Sequence, residues 1–134
     1  MKPKISIITL GVSDFKKSLL FYSQGLGFET HNYIEGEKHV LFRMSGTWLS
    51  LFPKEELAAD ATVSPEGTGF SGITLAHNVG TLEEVDTIYN QAVGAGAAAV
   101  KKPQKVSWGG YSGYFADPDG YLWEVAYNPY TDLT

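Results

Sequence analysis

Cysteine is absent from this 134-residue chain, which excludes disulfides, thiolate metal sites and a cysteine nucleophile. Basic residues are few, since ten Lys and Arg stand against 15 Asp and Glu and give a formal net charge of −5. The chain therefore has no basic footprint for nucleic acid or for an anionic membrane. A chain without cysteine also fits a cytoplasmic setting, which is the location we expect.

Long hydrophobic runs are missing as well. The apolar run Ile5–Leu10 is short and is followed by Asp14 and two lysines, so we expect neither a signal peptide nor a membrane span there. What the chain does contain is ordinary for a folded protein, with 43% hydrophobic residues, 13% aromatic residues and 15 glycines. This length allows one core or two small modules, so we expect a single compact unit with many short elements.

The first half predicts the order β-α-β-β-β. Ser13 or Asp14 offers an N-cap for a helix whose apolar residues recur at helical spacing, and Ser45-Gly46 is interpreted as a two-residue hairpin turn. The predicted elements are strand Ile5–Leu10, helix Phe15–Gln24, a weaker strand around Phe28–Ile34, and strands His39–Met44 and Thr47–Phe52.

The second half predicts the same order. Thr81 and Glu84 form a capping box at the start of its helix, and Pro118-Asp119-Gly120 is typical of a hairpin turn. The predicted elements are strand Gly72–His77, a helix from Leu82 that stops at Gly94, a short strand Ala97–Val100, and the hairpin Gly110–Tyr127.

The two halves are copies of one unit, about 4–52 and 70–128, joined by a polar linker, about 53–69, with a short helical turn at Lys54–Ala59. The repeat predicts an α+β fold in which two βαβββ modules lie in a pseudo-twofold arrangement and their sheets curl around a shared concavity. Such a concavity is the default place for a ligand.

Alternation along the strands predicts which side chains face this cup. Its side of the first hairpin holds His39, Leu41, Arg43, Trp48, Ser50 and Phe52. Read in the same way, the last hairpin places Trp123, Val125 and Tyr114 against a helix, and Glu124, Leu122, Phe115, Gly113 and Tyr111 in the cup. In the first strand of each half, Ile7, Thr9, Gly72 and Thr74 are predicted to face inward.

Three motifs give these paired units a familiar form. They are Val12-Ser13-Asp14 at a helix start, Phe21-Tyr22 before Gly25-Leu26-Gly27-Phe28, and Asp117-Pro118-Asp119-Gly120-Tyr121-Leu122-Trp123-Glu124 near the end. Over nearly its whole length the chain resembles the glyoxalase, bleomycin-resistance and extradiol-dioxygenase superfamily, also called vicinal oxygen chelate proteins. The resemblance implies a homodimer. It leaves the activity open, because the superfamily includes isomerases, lyases, dioxygenases, epimerases, thiol transferases and metal-free drug sequestrants.

The resemblance also implies where metal ligands would stand. In metal-dependent relatives they are His or Gln on the first strand of each half and Glu on the last, positions that fall here on Ile7, Ser50, Gly72 and Glu124. Only Glu124 matches, since Ile7 and Gly72 offer no ligand atom and a serine hydroxyl is a poor ligand. We therefore expect no catalytic metal.

Six residues are candidates for ligand contact: Arg43, Trp48, Ser50, Trp108, Tyr111 and Glu124. Arg43 suits an anionic ligand, Trp48 and Tyr111 a planar one, and Trp108 beside Gly109-Gly110 a mobile flap. The alternatives are a solvated Arg43, aromatic core filling, a tight turn that holds a buried Trp108, and a structural Glu124 paired with Arg43 or hydrogen-bonded to Tyr111. His31 is expected to be solvated, and His39 to be an ordinary polar residue on the cup face.

These residues predict a protein that binds a small, partly aromatic or cationic molecule in the cup. One alternative is a metal-dependent enzyme of the lactoylglutathione-lyase or dioxygenase type that takes its missing ligands from His39 or from a partner chain. Another is a metal-free isomerase or epimerase that uses Glu124 as its catalytic base.

Overall fold

The computed structural model describes residues 1, 6–62, 64–71 and 73–134, and these form two compact units, Met1–Gly69 and Phe70–Thr134. Ile5 and Gly72, at which the predicted first strands of the two halves begin, lie outside the described residues. No helix within the described ranges is long and apolar enough to cross a membrane.

The first unit has the predicted β-α-β-β-β order followed by a second helix. Its elements are β1 (Ile7–Val12), α1 (Phe15–Leu20), which continues as a π-helical segment (Phe21–Gly25), β2 (Thr30–His31), β3 (Val40–Phe42), β4 (Trp48–Pro53) and α2 (Lys54–Asp60). The strands lie in the order β1-β4-β3-β2, with β1 and β4 parallel. Asp14 is the N-cap of α1, because its carboxylate accepts a hydrogen bond from the Lys17 backbone N–H at 3.0 Å.

The hairpin of β3 and β4 has the predicted register and a longer connection. Leu41 pairs with Ser50, as predicted, and the ladder ends at the pair Phe42 and Leu49. The backbone N–H of Arg43 donates a hydrogen bond to the Glu29 carbonyl at 2.9 Å. Arg43 is therefore bonded to the residue before β2 and not to β4. The connection therefore spans residues 43–47, and the prediction of a two-residue turn at Ser45-Gly46 is wrong.

One face of this first sheet is the core of the unit. Val40, Phe42, Leu49 and Leu51 are each at most 3% exposed, so the face predicted to pack on a helix is confirmed. The π-helical segment buries Phe21 and Tyr22, and the ring of Tyr22 lies 5.8 Å from that of Phe42.

The first part of the predicted linker is packed on this unit. The expected helical turn is α2, in which Ala58 is 8% exposed. Gly11 of β1 permits the approach of α2, since a Cβ added there would lie 3.2 Å from the Lys54 Cα. Ala58 of the predicted linker is therefore part of the core of this unit.

The second unit also has the predicted order. Its elements are β5 (Thr74–Asn78), α3 (Leu82–Gly94), β6 (Ala98–Lys105), β7 (Tyr111–Ala116) and β8 (Leu122–Tyr127), in the sheet order β5-β8-β7-β6 with β5 and β8 parallel. The capping box is confirmed by reciprocal hydrogen bonds of 3.0 and 3.2 Å between Thr81 and Glu84. The strand predicted at Ala97–Val100 extends to Lys105, because pairing with β7 overrides the poor strand propensity of its alanines.

The turn of the last hairpin sets a register that the sequence prediction missed. The backbone N–H of Asp117 is donated to the Tyr121 carbonyl at 2.9 Å, so three residues, Pro118 to Gly120, connect the paired positions. Phe115 then lies opposite Trp123, and their rings stack with centroids 6.3 Å apart. A one-residue change of register moves every side chain of a strand to the other face. The prediction that Phe115, Gly113 and Tyr111 share a face with Glu124 is therefore wrong.

Candidate functional site

The first sheet carries polar and aromatic side chains on the face opposite its core. This face, called here the mixed face, consists of His31, His39, Leu41, Arg43, Trp48, Ser50 and Phe52. Trp48 and Phe52 are half-buried, whereas His39 and Arg43 are exposed. The structure therefore brings together three of the predicted ligand-contact residues, Arg43, Trp48 and Ser50.

Ser50 and His39 form a hydrogen-bonded pair on the mixed face. Ser50 Oγ lies 2.9 Å from His39 Nε2, and the Ser50 residue is 0% exposed. The His39 ring meets the ring of Phe52 edge to face at 5.5 Å. Because a buried hydroxyl needs a hydrogen-bond partner, this contact orients the otherwise exposed imidazole over β4.

Arg43 and Trp48 share a neighbour, His31, that the sequence prediction had assigned to solvent. Arg43 Nη2 donates a hydrogen bond to His31 Nδ1 at 3.1 Å. The His31 ring lies edge to face on the Trp48 indole, with ring centroids 4.9 Å apart. His31 is half-buried in β2, where it pairs with Leu41 of the mixed face. Pairing of the strand predicted around Phe28–Ile34 with β3 would have placed His31 on the mixed face, because cross-strand partners share a face.

Glu124 of the second sheet lies beside Tyr114 and on the side of β8 opposite Trp123. Tyr114 is its direct cross-strand partner, and the Glu124 carboxylate raises the pKa of the Tyr114 phenol through its charge and a hydrogen bond, after the larger effect of burial. Trp123 and Val125 are at most 7% exposed, so the prediction that they lie on the helix-facing side of β8 is confirmed for these two residues. Glu124 itself is half-buried. Tyr114, which the prediction placed against a helix, is thus the missed neighbour of this carboxylate.

Tyr111 lies on the helix-facing side of β7. Its hydroxyl is donated to Asp86 Oδ1 of α3 at 2.9 Å. The structure therefore separates Tyr111 from the face of Glu124, and its phenol anchors the sheet to α3. The alternative that Tyr111 is the hydrogen-bond partner of Glu124 is wrong for the same reason.

Trp108 lies in a tight turn before β7. The turn is closed by hydrogen bonds of 2.9 and 3.1 Å, from the Gly109 N–H to the Val106 carbonyl and from the Val106 N–H to the Gly110 carbonyl. The indole occupies the space that a Cβ on Gly110 would need, yet Trp108 remains 46% exposed. The alternative interpretation is thus correct in predicting a tight turn and wrong in predicting that Trp108 is buried.

The donor chemistry does not fit the metal site of metal-dependent relatives. Ile7 has no donor atom, the Ser50 hydroxyl is bonded to His39, Glu124 is bonded to Tyr114, and Gly72 lies outside the described residues. Across the part of the chain that the structure describes, no three His, Asp or Glu side chains are grouped so that they could hold a metal ion. A catalytic zinc ion typically has three protein ligands, and a structural one has four.

Replacement of Glu124 by Gln is expected to lower the pKa of Tyr114. Burial raises this pKa above the ordinary 10.0, and the charge of Glu124 and the hydrogen bond to it raise it further. The Tyr114 hydroxyl therefore stabilises the fold fully below about pH 10, and this contribution is lost as the pH rises through the higher folded-state pKa. Glutamine keeps an acceptor without the charge, so part of the rise should remain. Spectrophotometric titration of tyrosinate, compared with Tyr114→Phe, measures the change.

Tyr111 supplies the control for this titration. A hydrogen bond to Asp86 is the main cause that raises its pKa, and Glu124 is not among the causes. The Tyr111 transition should therefore be unchanged in Glu124→Gln. A Tyr114 transition that also stays unchanged would show that the carboxylate does not act on the phenol.

Residues 4–125 match the sequence profile of the Glyoxalase/Bleomycin resistance protein/Dioxygenase superfamily. The uncharacterized protein YraH of Bacillus subtilis strain 168 is 32% identical over 127 residues, which are 91% of this chain and 96% of YraH. Metallothiol transferase FosB of Shouchella clausii strain KSM-K16 is 32% identical over 124 residues, which are 90% of this chain and 77% of that enzyme.

Solved structures show the same likeness. The crystal structure of a glyoxalase-related enzyme from Fulvimarina pelagi matches with a TM-score of 0.85 and 31% identity, over 95% of this chain and 89% of that one. The α+β fold built from two modules is thereby supported across almost the full length of the chain.

Proposed function

The chain belongs to the glyoxalase, bleomycin-resistance and dioxygenase superfamily, and from that premise we propose that it binds a small, partly aromatic or cationic molecule without a catalytic metal. The observation that carries the proposal is the half-buried Trp48 on the mixed face, where it contacts His31, which in turn accepts a hydrogen bond from Arg43. Small-molecule sites commonly combine an aromatic wall with a few placed polar groups.

The absence of a suitable donor set supports the metal-free part of the proposal. A metallothiol transferase is among the relatives, but here the family's ligand positions hold Ile7 and a serine hydroxyl that is already bonded to His39. Apolar contact, stacking and hydrogen bonds would then supply the affinity.

Glu124 is proposed to favour cationic or hydrogen-bond-donating ligands. Its carboxylate is half-buried and keeps acceptor capacity beyond the bond with Tyr114, because an ionised carboxylate accepts about four hydrogen bonds.

The homodimer expected from the family resemblance belongs to the same proposal. Sedimentation equilibrium measures the molar mass in solution and so tests whether the chain forms a dimer.

Replacement of Trp48 by Ala is expected to weaken binding of aromatic ligands by about 1 kcal/mol, or roughly five-fold, because a stacking surface is lost. Ligands are first found in a thermal-shift screen of the full chain, run once with a chelator and once with added Ni²⁺ or Zn²⁺. Affinities of the ligands found are then measured by calorimetry for the wild type, Trp48→Ala and Trp48→Phe. Phe should retain most of the affinity.

Ile34→Ala is the matched control, because Ile34 is an apolar residue of the same unit that is 68% exposed and lies outside the mixed face. It should leave the affinity unchanged. Ligands that bind only when metal is added would refute the metal-free proposal. Affinities that Trp48→Ala does not alter would remove Trp48 from the site.

A further inference from the structure

Arg43 is the single arginine of the chain, and its guanidinium has donors to spare. The structure gives it one partner, the neutral acceptor Nδ1 of His31 at 3.1 Å. Within the described residues the one ion pair is the exposed pair of Lys38 and Glu56, so Arg43 has no carboxylate partner there. A guanidinium carries five N–H donors in a planar fork, and most of this fork remains available.

His31 holds the guanidinium close to the indole of Trp48. Since Nδ1 accepts from Arg43, the ring proton of the neutral imidazole is on Nε2. The bond to Arg43 and the edge-to-face contact with the Trp48 indole together orient the His31 ring. One imidazole thus contacts both a planar cation and a planar aromatic surface, and these two groups suit an aromatic ligand that bears an anionic group.

Glu29 is the natural competitor for Arg43. It lies across from Arg43 on the chain that forms β2, where its carbonyl accepts the Arg43 N–H at 2.9 Å. Its side chain is exposed, and the guanidinium bonds to His31 instead. An exposed pair of this kind would contribute little in any case, because water and salt screen it. Glu29 therefore does not block Arg43.

We propose that the mixed face of the first sheet selects planar aromatic anions, with Arg43 binding a carboxylate through its fork and Trp48 contacting the ring. This inference rests on the proposed small-molecule binding and names the ligand class for that face. It differs from the preference proposed for Glu124, whose charge favours cations. Arginine suits this role because its fork matches a carboxylate with two parallel hydrogen bonds.

The test uses three probes of the same shape and different charge: 2-naphthoate, 2-naphthamide and 2-naphthylmethylammonium. Their affinities for the full-length protein are measured by calorimetry, and the shifts of backbone amides of residues 40–52 in NMR spectra locate the binding. We expect 2-naphthoate to bind about ten-fold more tightly than 2-naphthamide, as for a charge-assisted hydrogen bond. Arg43→Gln should abolish this difference, and Arg43→Lys should restore only part of it.

Glu29→Gln is the matched control, since it removes the competing charge and keeps the size of the side chain. Because water and salt screen the charge of an exposed side chain, it should change the affinity for 2-naphthoate far less than Arg43→Gln does, and it should leave that for 2-naphthamide unchanged. Trp48→Ala should weaken all three probes alike, because it removes the surface that they share.

The outcomes separate the two proposals. If none of the probes binds, the proposed aromatic site on this face is wrong. If the probes bind and Trp48→Ala weakens them, but 2-naphthoate has no advantage or Arg43→Gln preserves it, the anion assignment is overturned and small-molecule binding stands. Tightest binding of the ammonium probe at residues 40–52 would likewise overturn the anion assignment.

Discussion

Replacement of Phe42 by Ala is expected to lower the free energy of unfolding by about 3–5 kcal/mol, the usual cost of removing a buried phenylalanine. Phe42 is 0% exposed, and its ring lies 5.8 Å from Tyr22 and 6.0 Å from Phe28. The truncation removes apolar contact and leaves a cavity between the π-helical segment and β3, which the fixed backbone of the sheet cannot close. Urea denaturation followed by circular dichroism measures the loss.

Leu41→Ala is the matched control for this prediction. Leu41 is the adjacent residue of β3 and lies half-buried on the mixed face, so its truncation opens no enclosed cavity. We expect a clearly smaller loss of stability. Equal losses of unfolding free energy for the two variants would contradict the assignment of the Phe42 face as the core of the first unit.

Replacement of Asp117 by Ala is expected to cost about 1.5–3 kcal/mol, the range for hydrogen bonds to a charged group. The Asp117 residue is 3% exposed, and its Oδ1 accepts the backbone N–H groups of Asp119 at 2.9 Å and Tyr121 at 2.8 Å. Without this oxygen both donors lose their partner inside the turn that sets the register of β7 and β8. Because this register places Tyr114 beside Glu124, the variant should also weaken their interaction.

Asp117→Asn separates the hydrogen bonds from the charge. Asparagine keeps an oxygen at the same position, so it should retain more stability than Ala. Urea denaturation measures both variants, and tyrosinate titration reports the Tyr114 pKa in each. A fully stable Asp117→Ala protein would show that the turn holds its geometry without the side chain.

Part of the candidate site could be predicted from the residues alone. Alternation places Trp48 and Ser50 on one side of β4 and Leu49 and Leu51 on the other, and the structure agrees. This works because neighbouring side chains in a strand always point to opposite faces, whatever the strand pairs with.

Other parts of the site depend on pairing between strands. Tyr111 was predicted on the face of Glu124 and Tyr114 on the helix-facing side, and the structure has the reverse. The reason is that a connection of three residues shifts β7 by one position against β8. His31 belongs to a strand of only two residues, too short for alternation to be read from the sequence. Its position follows from pairing with β3.

The sequence by itself determined the two α+β modules, the helix cap at Thr81, and the side of β8 on which Glu124 lies. These features depend on contacts within a few residues, so local patterns predict them. Only the tertiary structure decided that Tyr114 accompanies Glu124, and that His31 joins Arg43 to Trp48. Those contacts arise from the register and order of strands, which the lengths of the turns and the packing of the whole sheet determine.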